Sequence, residues 1–360
     1  MMKKLMNLDA DKILKSKLTW AIIAELLILL VCLIIRPDFF SISYQPSNGM
    51  LYGSLIDILN RSSEITIVAL GMMLVIATAG TDLSVGSMVA VSGALALRLM
   101  RWDLDLYPTP GDWSITPLFL VIMASLAVCM LMGSFNGLLV SRWKMQPIIA
   151  TLILMVAGRG IAQVITGGKQ MTTMFSPFKF IAHGSFLYLP MPVIITAVII
   201  LLIFLLTRKT AFGLFIESVG INRSASFVSG LKAEWIIMAV YIISGFLSGV
   251  SGLIYSSRII SNDSNNAGLG YEMDAILAVV IGGGSMAGGK FNIAGTVVGS
   301  LIIRTIITFV YYFGVAAEAI MVFKAMIIAV VIILQSEPVR RLTEKRSRIR
   351  RANLGGALHD

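Results

Sequence analysis

Apolar residues fall in long runs separated by short polar breaks, and the runs match the length of a bilayer crossing rather than of a soluble helix. Ten such spans can be read. The first four cover about Leu18 to Ile35, Ile56 to Ala77, the stretch ending near Met100, and Thr116 to Val140. The next three run from Pro147 to Ile165, Leu189 to Leu206 and Trp235 to Tyr255. The last three are Ala275 to Gly284, which is short, Ile293 to Tyr311, and Ala319 to Gln335. Pro37 closes the first span and Pro338 the last, because proline cannot continue a helix.

The pattern predicts an all-α, polytopic membrane protein with about ten transmembrane helices, some of them short or broken. Residues 18–336 form the membrane domain, flanked by basic tails at 1–17 and 337–360. Composition agrees: 57% of residues are hydrophobic and 13% charged, with mean hydropathy +0.88, which leaves no room for a large soluble domain.

The net charge of +10 is unevenly placed. Lys3, Lys4, Lys12, Lys15 and Lys17 precede the first span, and Arg340, Arg341, Lys345, Arg346, Arg348, Arg350 and Arg351 follow the last. Ten crossings put both tails on one side, and the positive-inside rule makes that side the cytoplasm. Alternating the loops from there places eighteen Lys and Arg in the two tails, the Arg142 turn and the 207–234 loop on the cytoplasmic side, against five in external loops. The charge flanks spans without interleaved aromatics, so it gives no footprint for nucleic acid. Trp102, Tyr107 and Trp113 in the loop after the third span suit a membrane interface. Cys32 and Cys129 lie in apolar runs and read as small buried hydrophobes.

One interruption stands out. Thr78-Ala-Gly-Thr-Asp-Leu-Ser-Val-Gly-Ser87 breaks an apolar stretch, with Gly80 and Gly86 bracketing Asp82, Thr81 and Ser84. A broken helix carrying a charge is costly at membrane depth unless protein or water surrounds it. Two readings follow: a segment on a transport path, or a tight turn with Asp82 capping the next helix. Other polar residues in apolar runs are Glu25, Asn136, Arg159, Gln163, Arg304 and Lys324. Glu25 and Lys324 lie near span ends, where snorkelling suffices. Asn136 and Gln163 suit interhelical hydrogen bonding as well as solute contact. Arg304 is mid-span and has no evident partner, and Asp274 suits a helix N-terminus. The pairs Gly133/Gly137, Gly245/Gly249 and Gly295/Gly299 have the spacing that lets helix backbones approach closely.

The stretch from Thr207 to Glu234 carries Arg208, Lys209, Arg223 and Lys232. Phe215, Val219 and, beyond a break at Gly220, Phe227 form an apolar face there, which either lies on headgroups or docks into a soluble partner. Gly284-Ser-Met-Ala-Gly-Gly-Lys-Phe291 has phosphate-loop spacing, but Phe291 stands where a hydroxyl must reach Mg²⁺, and no β-α-β unit surrounds it. It reads as a turn, and no nucleotide site is expected on this chain. No metal-ligand spacing or catalytic constellation appears; the histidines are His183 and His359, in a loop and the tail.

Gly71-Met-Met-Leu-Val-Ile-Ala-Thr-Ala-Gly-Thr-Asp-Leu-Ser-Val-Gly-Ser87 resembles the signature of bacterial sugar ABC-transporter permeases of the ribose type, with Ala79 and Thr81 as departures. Gln146 to Gly160, Ala275 to Ser285 and the Glu217…Gly220-x-Asn222-x-x-Ala225…Gly230 loop resemble that family too, although Ser226 stands where a second Ala is common. Thr151 to Gly160 and Asn265 to Leu269 are similar to its galactofuranose branch. The resemblance implies the pore subunit of an ATP-driven sugar importer in the inner membrane. A periplasmic sugar-binding protein would deliver the solute, and a second permease chain, identical or homologous, would complete the path. A cytoplasmic ABC ATPase, carrying the ATP and Mg²⁺, would dock on the 207–234 loop. Asp82, Ser84, Asn136, Arg159 and Gln163 are then candidates for lining or gating the path, and Glu217, Gly220 and Asn222 for ATPase coupling. The rival expectation is a self-sufficient carrier driven by an ion gradient through Asp82 or Arg304.

Overall fold

A computed structural model describes residues 17–35, 37–45, 50–100 and 116–312, with isolated positions at 322, 325, 326 and 329. The tail lysines before Lys17, the interfacial loop after Met100, Lys324, most of the expected tenth span and the C-terminal tail therefore lie outside the described residues.

The chain opens with α1 (Lys17–Ile35), followed by a short 3₁₀ turn and the hairpin β1 (Ser43–Gln45) and β2 (Met50–Tyr52). Then come α2 (Ser54–Ala77), α3 (Val85–Met100), α4 (Leu118–Ser141) and α5 (Pro147–Thr166). Beyond β3 (Met171–Thr172) and α6 (Ser176–His183), a second small hairpin, β4 (Ser185–Phe186) with β5 (Leu189–Pro190), leads into α7 (Met191–Arg208). Two short helices follow, α8 (Phe212–Ile221) and α9 (Arg223–Val228), then α10 (Ala233–Ile259). Strand β6 (Ser261–Asn262) pairs with β3, and α11 (Tyr271–Ile281) and α12 (Ile293–Tyr312) complete the described bundle.

Six of these helices, α2, α4, α5, α7, α10 and α12, are long and apolar enough to cross a membrane. The expected first, third and eighth spans coincide with the shorter helices α1, α3 and α11. The bundle has an inside and an outside. The second half of α2, from Ser62 to Ala77, is wholly buried, and α3 nearly so. By contrast only 28% of the apolar stretch of each of α4, α5 and α7 is buried, the arrangement expected of helices that face lipid. α4 and α10 pack backbone to backbone: a Cβ on Gly133 would collide with the Tyr241 carbonyl, and its distance to Gly245 Cα would be 3.3 Å. The paired GxxxG spacings therefore serve close packing.

Two segments depart from the sequence expectation. The polar loop before the sixth span contains α6, because Pro177 is preorganised for a first helical turn and Phe178 and Ala182, one turn apart, bury together against α3 and α10. The expected seventh span is longer at its end. Ser257 donates its hydroxyl to the Phe178 carbonyl (2.7 Å), and Arg258 pairs with Glu64, which holds the polar last turn inside the bundle.

The connections gather at two ends. At one, Arg223 donates to the Ser141 carbonyl (2.7 Å), and Gly289 to the Ala77 carbonyl (2.9 Å), which brings together the Ser141–Met145 turn, α8–α9 and the Gly282–Lys290 turn. At the other, β2 reaches the β4–β5 hairpin through Leu51 N–H to Tyr188 O (3.1 Å), and β3 pairs with β6.

Candidate functional site

The break that the sequence singles out runs from Thr78 to Ser84, so Gly86 falls inside the first turn of α3 rather than in the break. Just past the end of α2, Ala79 takes the left-handed region (φ 59°), and the Ala79 and Gly80 N–H groups donate back to the Ile76 and Val75 carbonyls. The chain then places Asp82 in the centre of the bundle, 0% exposed. One carboxylate oxygen accepts the Ser84 hydroxyl (2.6 Å), the Ser84 backbone N–H (3.1 Å) and, more distantly, Asn136 Nδ2 (3.4 Å). The other accepts the Ser244 hydroxyl of α10 (2.9 Å). Asn136 also donates to Ser84 Oγ (2.8 Å). Around this core, Tyr241 donates to the Thr81 carbonyl (3.2 Å), and the Leu83 N–H donates to Thr151 of α5 (3.1 Å). Asp82, Ser84 and Asn136 thus form one hydrogen-bonded cluster that pins the break to α4, α5 and α10.

Arg159 and Gln163 belong elsewhere. Arg159 donates to the carbonyls of Ser264 (3.1 Å) and Ala267, and Gln163 donates to Asn265 Oδ1 (2.6 Å) on an exposed edge. Both therefore hold the loop between α10 and α11, with Glu272 and Asp263 in electrostatic reach of Arg159.

A third polar centre went unread in the sequence. Glu64, 5% exposed, accepts Arg258 Nε on one oxygen (2.6 Å) and the Tyr271 hydroxyl on the other (2.6 Å). Arg258 also donates to the Asn60 carbonyl (2.9 Å). Arg304 of α12 lies in electrostatic reach of Glu64 and Tyr271, although its Nε has no hydrogen-bond partner among the described residues. Removing a hydrogen bond to a charged group costs about 1.5–3 kcal/mol. Tyr271→Phe should therefore lower the thermal midpoint of the purified protein without changing its helix content by circular dichroism. An unchanged midpoint would show that the bond contributes nothing.

At the surface, α8 buries Gly213, Ile216, Val219 and Gly220. The expected break at Gly220 falls instead at Asn222, whose extended backbone ends α8 while its side chain accepts the Ala225 N–H (2.9 Å) and caps α9. The turn this makes carries Phe227 off the packed face of Phe215 and Val219, leaving it 75% exposed. Gly220 admits no side chain, since a Cβ there would collide with the Ala77 carbonyl oxygen. Glu217 is half-buried beside it. In the glycine-rich turn Lys290 is exposed and Phe291 buried, as fits a turn rather than a phosphate cradle. Among the described residues no group of three His, Cys, Asp or Glu is placed to hold a metal ion.

Residues 54–333 match the family described as branched-chain amino acid transport system / permease component. The chain belongs to that family. It is 44% identical over 316 residues to the galactofuranose transporter permease protein YtfT of Escherichia coli, covering 88% of this chain and 89% of the relative. It is 41% identical over 348 residues to the fructose import permease protein FruF of Bifidobacterium longum, covering 96% and 94%. With the ribose import permease protein RbsC of Escherichia coli it shares 32% over 321 residues, covering 88% and 93%. No solved structure gives a significant match. The resemblance to ribose-type sugar permeases holds across nearly the whole chain. This permease component is a multi-pass transport subunit and not an enzyme, and its family lends no support to the rival reading of an ion-coupled carrier.

Proposed function

We propose that this chain is the membrane-spanning subunit of an ATP-driven importer that carries a sugar, galactofuranose or a related pentose or hexose, across the bacterial inner membrane. The galactofuranose, fructose and ribose permeases among its relatives support the solute class. The observation that carries the mechanism is the pair of surface helices α8 and α9. Ile221, Phe227 and Val228 are largely exposed there, beside a cavity of about 710 Å³ lined in part by Lys144, Arg223, Lys232 and Glu234. Exposed apolar side chains within a charged rim suit a protein partner. That partner is a cytoplasmic ABC ATPase, which holds the ATP and Mg²⁺.

In this reading about ten helices cross the bilayer between residues 18 and 336, and both basic tails are cytoplasmic. The meeting of the Ser141–Met145 turn, α8–α9 and the Gly282–Lys290 turn at one end supports that topology, because these are the segments that the charge bias assigns to the cytoplasm. Loop 207–234 is the coupling element: Gly220 sets its close seating, Asn222 its bend, and Glu217 faces the ATPase contact. Of the two roles open to Asp82, Ser84 and Asn136, gating fits a cluster with no exposure. Arg159 and Gln163, beside the exposed Asn265, border the path where a second permease chain, identical or homologous, completes it. A periplasmic sugar-binding protein supplies the solute.

The test is uptake into proteoliposomes holding the permease, its ATPase and its binding protein. ATP-dependent sugar uptake that persists when proton and sodium gradients are collapsed is expected. Uptake by this chain alone, driven by either gradient, would overturn the reading.

A further inference from the structure

The Gly282–Lys290 turn is not an idle connection between α11 and α12. Ala77 is the last residue of α2, and its carbonyl has no acceptor role left inside that helix. It accepts the backbone N–H of Gly289 (2.9 Å). Gly220 of α8 closes on the same point: a Cβ there would strike the Ala77 carbonyl oxygen and would come within 2.6 Å of Gly289 N. Gly288 and Gly289 hold left-handed backbone (φ 83° and 81°). A Cβ on Gly289 would lie 2.6 Å from Ile221 Cγ1, and one on Gly288 would lie 2.8 Å from Ala79 N. Three chain segments thus meet without side chains between them. The segment just downstream of Ala77 is the break itself, where Tyr241 holds the Thr81 carbonyl and Asp82 holds Ser84, Asn136 and Ser244.

We propose that the Gly282–Lys290 turn is a second coupling element, which clamps α8 to the C-terminal end of α2 so that displacement of α8 reaches the Asp82 cluster through Ala77. The contact has no slack. Backbone atoms at van der Waals distance cannot absorb a shift by rotamer changes, so the movement passes on. The proposal rests on α8–α9 being the ATPase contact.

Two experiments on the complete transporter test it. The first leaves the sequence unchanged: hydrogen exchange is compared between the nucleotide-free and ATP-trapped states. Protection at 286–290 and 77–84 should change together with that at 212–228. A change confined to 212–228 would overturn the proposal. The second compares Gly289→Ala with Gly168→Ala, a left-handed glycine (φ 72°) with open space around it. Gly289→Ala should still assemble with the ATPase and hydrolyse ATP, but the sugar moved per ATP should fall by roughly two- to thirty-fold, the span of measured coupling energies. Gly168→Ala should leave the ratio unchanged. An unaltered ratio in Gly289→Ala, or an equal fall in both variants, would overturn the proposal. If the unsubstituted complex showed no ATP-driven uptake, the docking reading would fall first, and visibly so.

Discussion

Gly220→Pro should abolish ATP-driven uptake while the protein still reaches the membrane. Three effects combine at this position. The proline ring removes an N–H from the last turn of α8 and clashes with the carbonyl one turn back, which costs about 3 kcal/mol in a helix interior. Any Cβ also meets the Ala77 carbonyl oxygen, and Gly289 N lies 2.6 Å away, so the helix cannot keep its seat on the end of α2. The bundle itself is not at stake, because α8 sits at its edge, with Ile216 and Val219 in the main core and Phe212 and Phe215 only partly buried against it. Gly220→Ala keeps the helix and disturbs only the seat, so it should lose part of the uptake. Membrane abundance, co-purification of the ATPase and uptake, measured on the same preparations, separate these outcomes. Normal uptake by Gly220→Pro would remove the coupling role from this helix.

Asp82→Ala should cost stability as well as transport. The substitution strands the Ser84 hydroxyl, the Ser244 hydroxyl and one donor of Asn136 in a place that water does not reach. Each buried donor left unpaired costs about 1–3 kcal/mol. The break would also lose its bond to Ser244 of α10, leaving Tyr241 on the Thr81 carbonyl as its remaining hydrogen bond to that helix. Asp82→Asn keeps the shape and one acceptor oxygen, and hydroxyl groups can rotate to meet an amide. It should therefore melt closer to the unsubstituted protein than Asp82→Ala does. The readout is the thermal midpoint in detergent together with uptake. If Asp82→Ala melted like the unsubstituted protein, the cluster would not be what holds the break.

Much of the architecture was legible because hydrophobic runs long enough to span a bilayer leave few alternatives. The first nine expected spans each coincide with a helix, with ends shifted by a few residues. What escaped was set by tertiary contacts. Helix α6 depends on burying Phe178 and Ala182 against distant α3 and α10, and its own composition reads as loop. Phe227 was placed on one face with Phe215 because helical periodicity was carried across a break that Asn222 turns by capping a new helix. At the centre, Asp82 was legible as a costly charge, and Asn136 as a polar residue in an apolar run. Ser244 and Tyr241 were not, because a serine or tyrosine in a crossing carries no signal of what it will face. Glu64 and Arg258 lie 194 positions apart, and only the fold makes them a pair. The glycine-rich segment was legible as a turn, yet its contact with Ala77 and Gly220 exists only once three segments converge.

The most direct test of the account is the side from which α9 can be reached, and what covers it. Cys32 and Cys129 are both buried, so a single cysteine at the exposed Ser224 gives a nearly silent background for a membrane-impermeant thiol reagent. The account predicts that Ser224→Cys is labelled only from the cytoplasmic side, and that bound ATPase protects it. Labelling from the periplasmic side, or cytoplasmic labelling that the ATPase leaves unchanged, would contradict it.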